Sequence, residues 1–166
     1  MDKIAIDNNI LTLYLGMNRH QSEWAINNKY ATILIDDLRK KKIPVYLPPQ
    51  VVMETLCTFQ DKEKRAEVFD LLRKTFRLIA FDSKAAVVGA DILLQGNYLR
   101  ELKDNDTPRS HIKTDAQIIA SCRSKGITRI YTNDKAMLKM KVNHLEISPL
   151  PKAHVQIPLF PEGETD

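Results

Sequence analysis

Short apolar runs alternate along the chain with longer stretches of helical periodicity. Ile4-Ala5-Ile6 reads as a buried strand that stops at Asp7, and Asn8-Asn9 favours a turn or helix start. From Gln21 to Lys42 the apolar residues Trp24, Ala31, Leu34, Ile35 and Leu38 recur along one side, which predicts a long amphipathic helix. Arg39 to Lys42 suit its C-terminal dipole. Pro44 to Leu47 is a second strand, punctuated by Pro48-Pro49 and followed by a helix that carries Glu54. Arg65 to Lys74 is helical, Leu78 to Phe81 a third strand, and Ser83 to about Glu101 another helix. The polar stretch from Lys103 to Ser110 reads as a loop. Thr114 and Gln117 form a capping-box pattern that places Asp115 in a first helical turn, and Gly126 closes that helix. Ile127 to Tyr131 and Leu145 to Ile147 are further strands, with a short helix over Lys135 to Lys141 between them.

Strands alternating with helices predict a parallel sheet covered on both faces, a three-layer α/β/α sandwich. In such sheets ligands bind outside the carboxyl ends of the strands, where the strand order reverses. The 166 residues suffice for one domain with a real core, expected over 1–148. The segment 149–166 holds Pro149, Pro151, Pro158 and Pro161 and reads as an extended, Pro-rich tail.

A hydrophobic fraction of 43% and a charged fraction of 28% suit a soluble globular protein, and no apolar run approaches the length of a membrane span. Cys57 and Cys122 match no metal or redox spacing and read as reduced core thiols of a cytoplasmic protein. The net charge of +4 is unevenly spread. Residues 109–141 carry eight Lys or Arg against Asp115 and Asp134, a local +6 that leaves −2 for the rest. Basic surface around two acids suits a polyanion whose phosphates approach a metal, although a solvated basic face has the same composition.

Four acids stand where strands should end and helices begin: Asp7, Glu54, Asp115 and Asp134. Singly, each has an ordinary explanation. Asp7 and Asp134 suit helix caps, Glu54 a partly buried ion pair, and Asp115 the helix dipole. Those explanations leave something over. Glu54 neighbours Val51 and Cys57 on a helix, and Asp115 shares a stripe with Ile118, Ile119 and Cys122. One architecture brings all four together, and unpaired buried carboxylates cost several kcal/mol unless protonated or bound to a cation. Magnesium or manganese takes oxygen ligands, and a pair of such ions can activate water for phosphodiester cleavage. The histidines His20, His111, His144 and His154 show no zinc spacing, and Gly-rich phosphate loops and nucleophile elbows are absent.

The segments Ile4-Ala5-Ile6-Asp7-Asn8-Asn9, Val51-Val52-Met53-Glu54-Thr55-Leu56, Thr114-Asp115-Ala116-Gln117-Ile118-Ile119-Ala120 and Ile130-Tyr131-Thr132-Asn133-Asp134 resemble the PIN-domain ribonucleases. The resemblance covers residues 3 to about 148. It implies magnesium- or manganese-dependent endonucleolytic cleavage of single-stranded RNA, with Asp7, Glu54, Asp115 and Asp134 as the catalytic metal ligands. Many small members are VapC-type toxins, usually dimers neutralised by an antitoxin, so the resemblance also implies an antitoxin partner and a homodimer. The chain departs from the pattern at Asn8, where Thr or Ser is usual, in its longer spacers, and in its tail. Arg109, His111, Lys113, Thr132 and Asn133 are candidate substrate or site contacts, whereas Trp24 and Tyr30 suit the core or a dimer contact better than base stacking. Two other classes share some features. A phosphatase would need a second Asp where Asn9 stands, and a receiver domain would have only Asp82 to phosphorylate. A nonenzymatic RNA-binding module would be expected to have lost some of the four acids.

Overall fold

Ile4–Ile6 (β1) is buried along its whole length, and it forms the centre of the sheet in the computed structural model, which describes residues 2–17, 23–95 and 109–152. Val45–Leu47 (β2) pairs on one side of β1 and Arg129–Tyr131 (β4) on the other. Arg77–Leu78 (β3) and Glu146–Ser148 (β5) complete the edges. The five strands are all parallel in the order β3-β2-β1-β4-β5. The chain therefore steps outward from β1 through β2 to β3, then returns to start β4 on the other flank of β1. The order reverses between β1 and β4, and the carboxyl-edge crevice at that point is where a parallel sheet places its ligand site.

Six helices are described. Asn8–Tyr14 (α1) packs on both Trp24–Lys40 (α2) and Pro49–Cys57 (α3), and α3 packs on Lys62–Thr75 (α4), whereas Ser83–Gln95 (α5) packs chiefly on Arg109–Ser124 (α6). Right-handed crossovers place helices that follow outward steps and the helices of the return step on opposite faces. The α/β/α sandwich expected from the alternation is thus observed. Its core joins Ile6, Leu11, Ile35, Leu47, Leu72, Ile119 and Ile130 from both layers, all nearly inaccessible to solvent.

The differences from the sequence-based expectation are local. The third strand lies earlier than Leu78–Phe81. Tyr46 pairs with Arg77 and Leu47 with Leu78, so pairing to β2 fixes the register, and Phe81 is left exposed. The short helix over Lys135–Lys141 is only a single 3-10 turn at Met137–Lys139. Thr114 does not cap a helix: α6 starts at Arg109, well over one turn earlier, so Thr114 and Gln117 lie in its interior. Packing along α5 extends the helix past a local capping signal, and the loop expected up to Ser110 ends before Arg109. The remainder of that loop, the end of the helix expected to reach Glu101, and Gln21 lie outside the described residues. Cys57 is exposed rather than a core thiol, whereas Cys122 is buried. Leu150 is buried, so the packed unit runs beyond residue 148. The rest of the expected tail, from residue 153, lies outside the described residues.

The α5–α6 contact is close at Gly89, where a Cβ would stand 3.4 Å from the Ala120 Cβ. This contact sets the position of the helix that carries Asp115. Gly89→Ala should be tolerated, because one methyl at van der Waals distance is offset by better helix propensity. Gly89→Leu should cost about 1–3 kcal/mol by forcing the helices apart, read as a lower urea midpoint at unchanged slope.

Candidate metal centre

Asp7 follows β1 directly and caps α1. Its Oδ1 accepts a hydrogen bond from the Asn8 backbone N–H at 2.7 Å, and its own N–H donates to the Tyr131 carbonyl at 3.0 Å. Those contacts explain why an acid can sit there. They do not exhaust it, since the residue is only 6% exposed and its second oxygen is aimed at β4. That oxygen, Oδ2, accepts from the Thr132 hydroxyl at 2.9 Å and from the Asn9 amide at 2.9 Å.

Thr132 links the two sides of the switch point. Its hydroxyl donates to Asp7 and accepts from the Asp134 backbone N–H at 3.0 Å and from Asn9 Nδ2 at 3.2 Å. The residue is fully buried and does not line the cleft, so its place is beneath the site rather than against a substrate. Asn9 completes the link, because its Oδ1 accepts from the Asn133 N–H at 3.0 Å. Asn133 itself lines the cleft, and its Oδ1 accepts from the Leu150 N–H at 3.2 Å, holding the chain just after β5. Asp134 caps the following turn through Ala136 and Met137 N–H groups at 2.7 and 2.8 Å, using one oxygen for both.

Glu54 and Asp115 arrive from the two helical layers. Asn8 secures α3 by accepting from the Thr55 hydroxyl at 2.9 Å, next to Glu54. This gives Asn8 a role that a shorter Thr or Ser would fill differently. Asp115 lies in the second turn of α6, beyond the reach of the dipole effect that acts on first-turn acids. The structure thereby removes the ordinary explanation for this acid.

All four carboxylates line one open cleft of about 800 Å³, together with Asn9, Thr12, Asn27, His111 and Lys135. Burial first, and then the charges of Asp134, Asp7 and Glu54, together raise the Asp115 carboxyl to about 7. Asp7 is raised by burial too, against the lowering effect of its bonds to Asn8 and Thr132 and with the charge of Asp134. Glu54 is raised by burial and by Asp7, and partly relieved by His111. The acids therefore sense one another, and no basic side chain is ion-paired with any of the four among the described residues.

A divalent cation fits this donor set by chemistry. The donors are carboxylate oxygens, and their mutual repulsion is the cost that a cation removes. As the side chains stand, no three acidic, histidine or cysteine residues among those described are close enough to grip one ion together. Magnesium does not need three, since it usually keeps several waters and takes one or two carboxylates.

Of the other residues singled out in the sequence, His111 lines the cleft, Lys113 is exposed outside it, and the Arg109 side chain lies outside the described residues. Lys135 and Asn27 line the cleft without having been selected. Lys135 was readable as the residue after Asp134, but Asn27 reaches the site only through the packing of α2 on α1. Trp24 and Tyr30 pack partly buried against the core, as expected. Asp82, the acid a receiver would need, caps α5 through the Ala85 N–H at 2.9 Å and pairs with Lys125 at 2.5 Å. It is already engaged away from the cleft.

The raised carboxylates fix the sign of a pH effect. Folded Asp115 holds its proton to about 7, while its ordinary value is 3.8. Between those values the folded chain binds more protons than the unfolded chain, so stability falls as pH rises, and the loss is complete above the folded value. Asp7 and Glu54 act in the same direction. In chelator, the urea midpoint should fall from about pH 5 to about pH 8, and Asp115→Asn should flatten that fall and exceed wild type at the higher pH. An equally steep fall in the variant would contradict the assignment.

No protein-family model matches the chain, and no curated protein matches it in sequence. Solved structures do match. The DNA-bound VapBC from Salmonella typhimurium is 15% identical with a TM-score of 0.60, over 91% of this chain and 100% of that one. FitAcB from Neisseria gonorrhoeae is 18% identical with a TM-score of 0.57, over 87% and 96%. A sarcin–ricin-loop-cleaving VapC toxin from Mycobacterium tuberculosis is 15% identical with a TM-score of 0.50, over 81% and 92%. At such identities the likeness speaks for architecture: the chain has a VapC-like PIN-domain fold.

Proposed function

We propose that this protein is a divalent-metal-dependent endoribonuclease that hydrolyses phosphodiester bonds of single-stranded RNA. The observation that carries the reading is the convergence, at the switch point of a parallel sheet, of Asp7, Glu54 and Asp115, which are partly desolvated, with the exposed Asp134, none of them ion-paired among the described residues. One or two of these carboxylates at a time, with water completing the shell, would hold magnesium or manganese, which when bound supplies water activation and stabilises charge on the leaving oxygen. The chain's own residues do the rest. Thr132 and Asn9 hold Asp7 in place and keep one edge of its carboxylate occupied. Lys135 and His111, on the cleft wall, offer donors to phosphate oxygens as the RNA backbone enters. The basic excess of residues 109–141 draws the polyanion toward an otherwise acidic cleft.

The reading extends to a biological role as the toxin of a toxin–antitoxin pair, with a small protein antitoxin as partner. Structural neighbours solved as VapBC and FitAcB assemblies support that role, and the RNA-cleaving neighbour supports the substrate class.

The test is cleavage of a single-stranded RNA pool with manganese or magnesium. Wild type should cut and chelator should stop it. Asp7→Asn and Asp115→Asn should each lower the rate by at least about a hundredfold while remaining folded, because each removes charge that the reaction needs. Undiminished cutting by both variants would remove the site from this assignment.

A further inference from the structure

Asn27 differs from the other asparagines of the cleft in its hydrogen bonding. The other asparagines that line it are engaged. Asn8 accepts from Thr55, Asn9 bonds Asp7, Thr132 and Asn133, and Asn133 accepts from Leu150. The Asn27 side chain, half-buried on α2, has no hydrogen-bond partner among the described residues, although its backbone N–H is tied to the Glu23 carbonyl at 3.1 Å. Its position is nonetheless fixed. The next residue, Asn28, donates through its amide to the Leu13 carbonyl at 2.6 Å and so clamps α2 against α1. Thr12 and Leu13 of α1 line the same cleft. Thr12 is anchored by its own bond to the Asn9 carbonyl at 3.2 Å.

Among the described residues, Asn27 brings to the cleft one primary amide with a donor and an acceptor side by side, both unspent, beside the narrow exposed edges of Thr12 and Leu13. In this amide a nucleobase finds a partner for the paired donor and acceptor of its edge, the arrangement by which Asn reads adenine. Single-stranded RNA is read in this way, with bases splayed out and bonded along their edges.

We propose that Asn27, with Thr12 and Leu13, forms a base-binding subsite that accepts one nucleobase of the RNA beside the scissile phosphate and gives the cleavage its sequence preference. This rests on the nuclease reading above, and it adds a determinant outside the acidic set. Asn27 is a specificity residue, with no part in bond breaking.

The experiment compares wild type, Asn27→Ala and Asn27→Asp in two assays. The first is the cut-site sequence profile on a randomised single-stranded RNA pool with manganese. The second is the affinity for fluorescent oligoadenylate, oligouridylate, oligocytidylate and oligoguanylate by anisotropy, in calcium so that no turnover is required. Wild type should show a base preference at one position next to the cut. Asn27→Ala should reduce that preference by about tenfold, the size expected for one bidentate amide contact, and compress the spread of the four affinities. Asn27→Asp, which keeps shape but exchanges a donor for an acceptor, should shift the preference to a different base. An unchanged profile and unchanged affinities in both variants, with wild type cutting, would overturn the subsite and leave the nuclease reading intact. Absence of both cutting and binding by wild type would overturn the two together. Base-selective binding without cutting, lost in Asn27→Ala, would support the subsite and count against the nuclease.

Discussion

Mutual repulsion among four carboxylates, three of them partly desolvated, is the constraint around which this structure is organised. Each acid taken alone could be tolerated by a cap or by solvent. Gathered in one cleft, Asp7, Asp134 and Glu54 all raise the proton affinity of Asp115, which burial has already raised. A fold that brings such groups together without cationic partners gives up stability at neutral pH. A divalent cation would recover that loss, and the acids reach the cleft from four separate parts of the chain.

The positioning follows from the sheet. Because β1 and β4 are adjacent although far apart in sequence, the residues after each strand meet at the carboxyl edge. Asp7 and Asp134 are delivered there by register, and the Thr132 hydroxyl joins them by bonding to both. The helical layers contribute one acid each. Glu54 comes from the group that packs around α1, and Asp115 from the pair fixed by the close approach of Gly89 and Ala120. A rigid frame of this kind, with its positioning bonds buried beneath the cleft, is what a preorganised site needs.

Much of this was legible in the sequence because it depends on local patterns that packing preserved. The run Ile4-Ala5-Ile6 before Asp7 marked a buried strand with an acid at its end. The stripe Ile118, Ile119, Cys122 showed that Asp115 faced inward, and all three are buried. What was not legible depends on tertiary choice. The start of α6 was misplaced because Thr114 and Gln117 imitate a cap, whereas packing on α5 decides where the helix begins. β3 was displaced because an edge strand takes its register from its neighbour rather than from its own hydrophobicity. Thr132 was a candidate substrate or site contact, able to bond a carboxylate, and only the pairing of β1 with β4 shows that the carboxylate is that of Asp7. Asn27 was invisible for a similar reason, being polar on a helix with no chemical neighbour in sequence.

The most direct test of the central claim is calorimetric titration of manganese into chelator-treated wild type and Asp115→Asn near neutral pH, repeated in buffers of different ionisation enthalpy. The account predicts binding to wild type accompanied by proton release, because a cation displaces the proton that Asp115 holds up to about 7. It predicts weaker binding, with that proton release lost, in the variant. A folded wild type that takes up no manganese, or one whose binding is unchanged by Asp115→Asn, would contradict it.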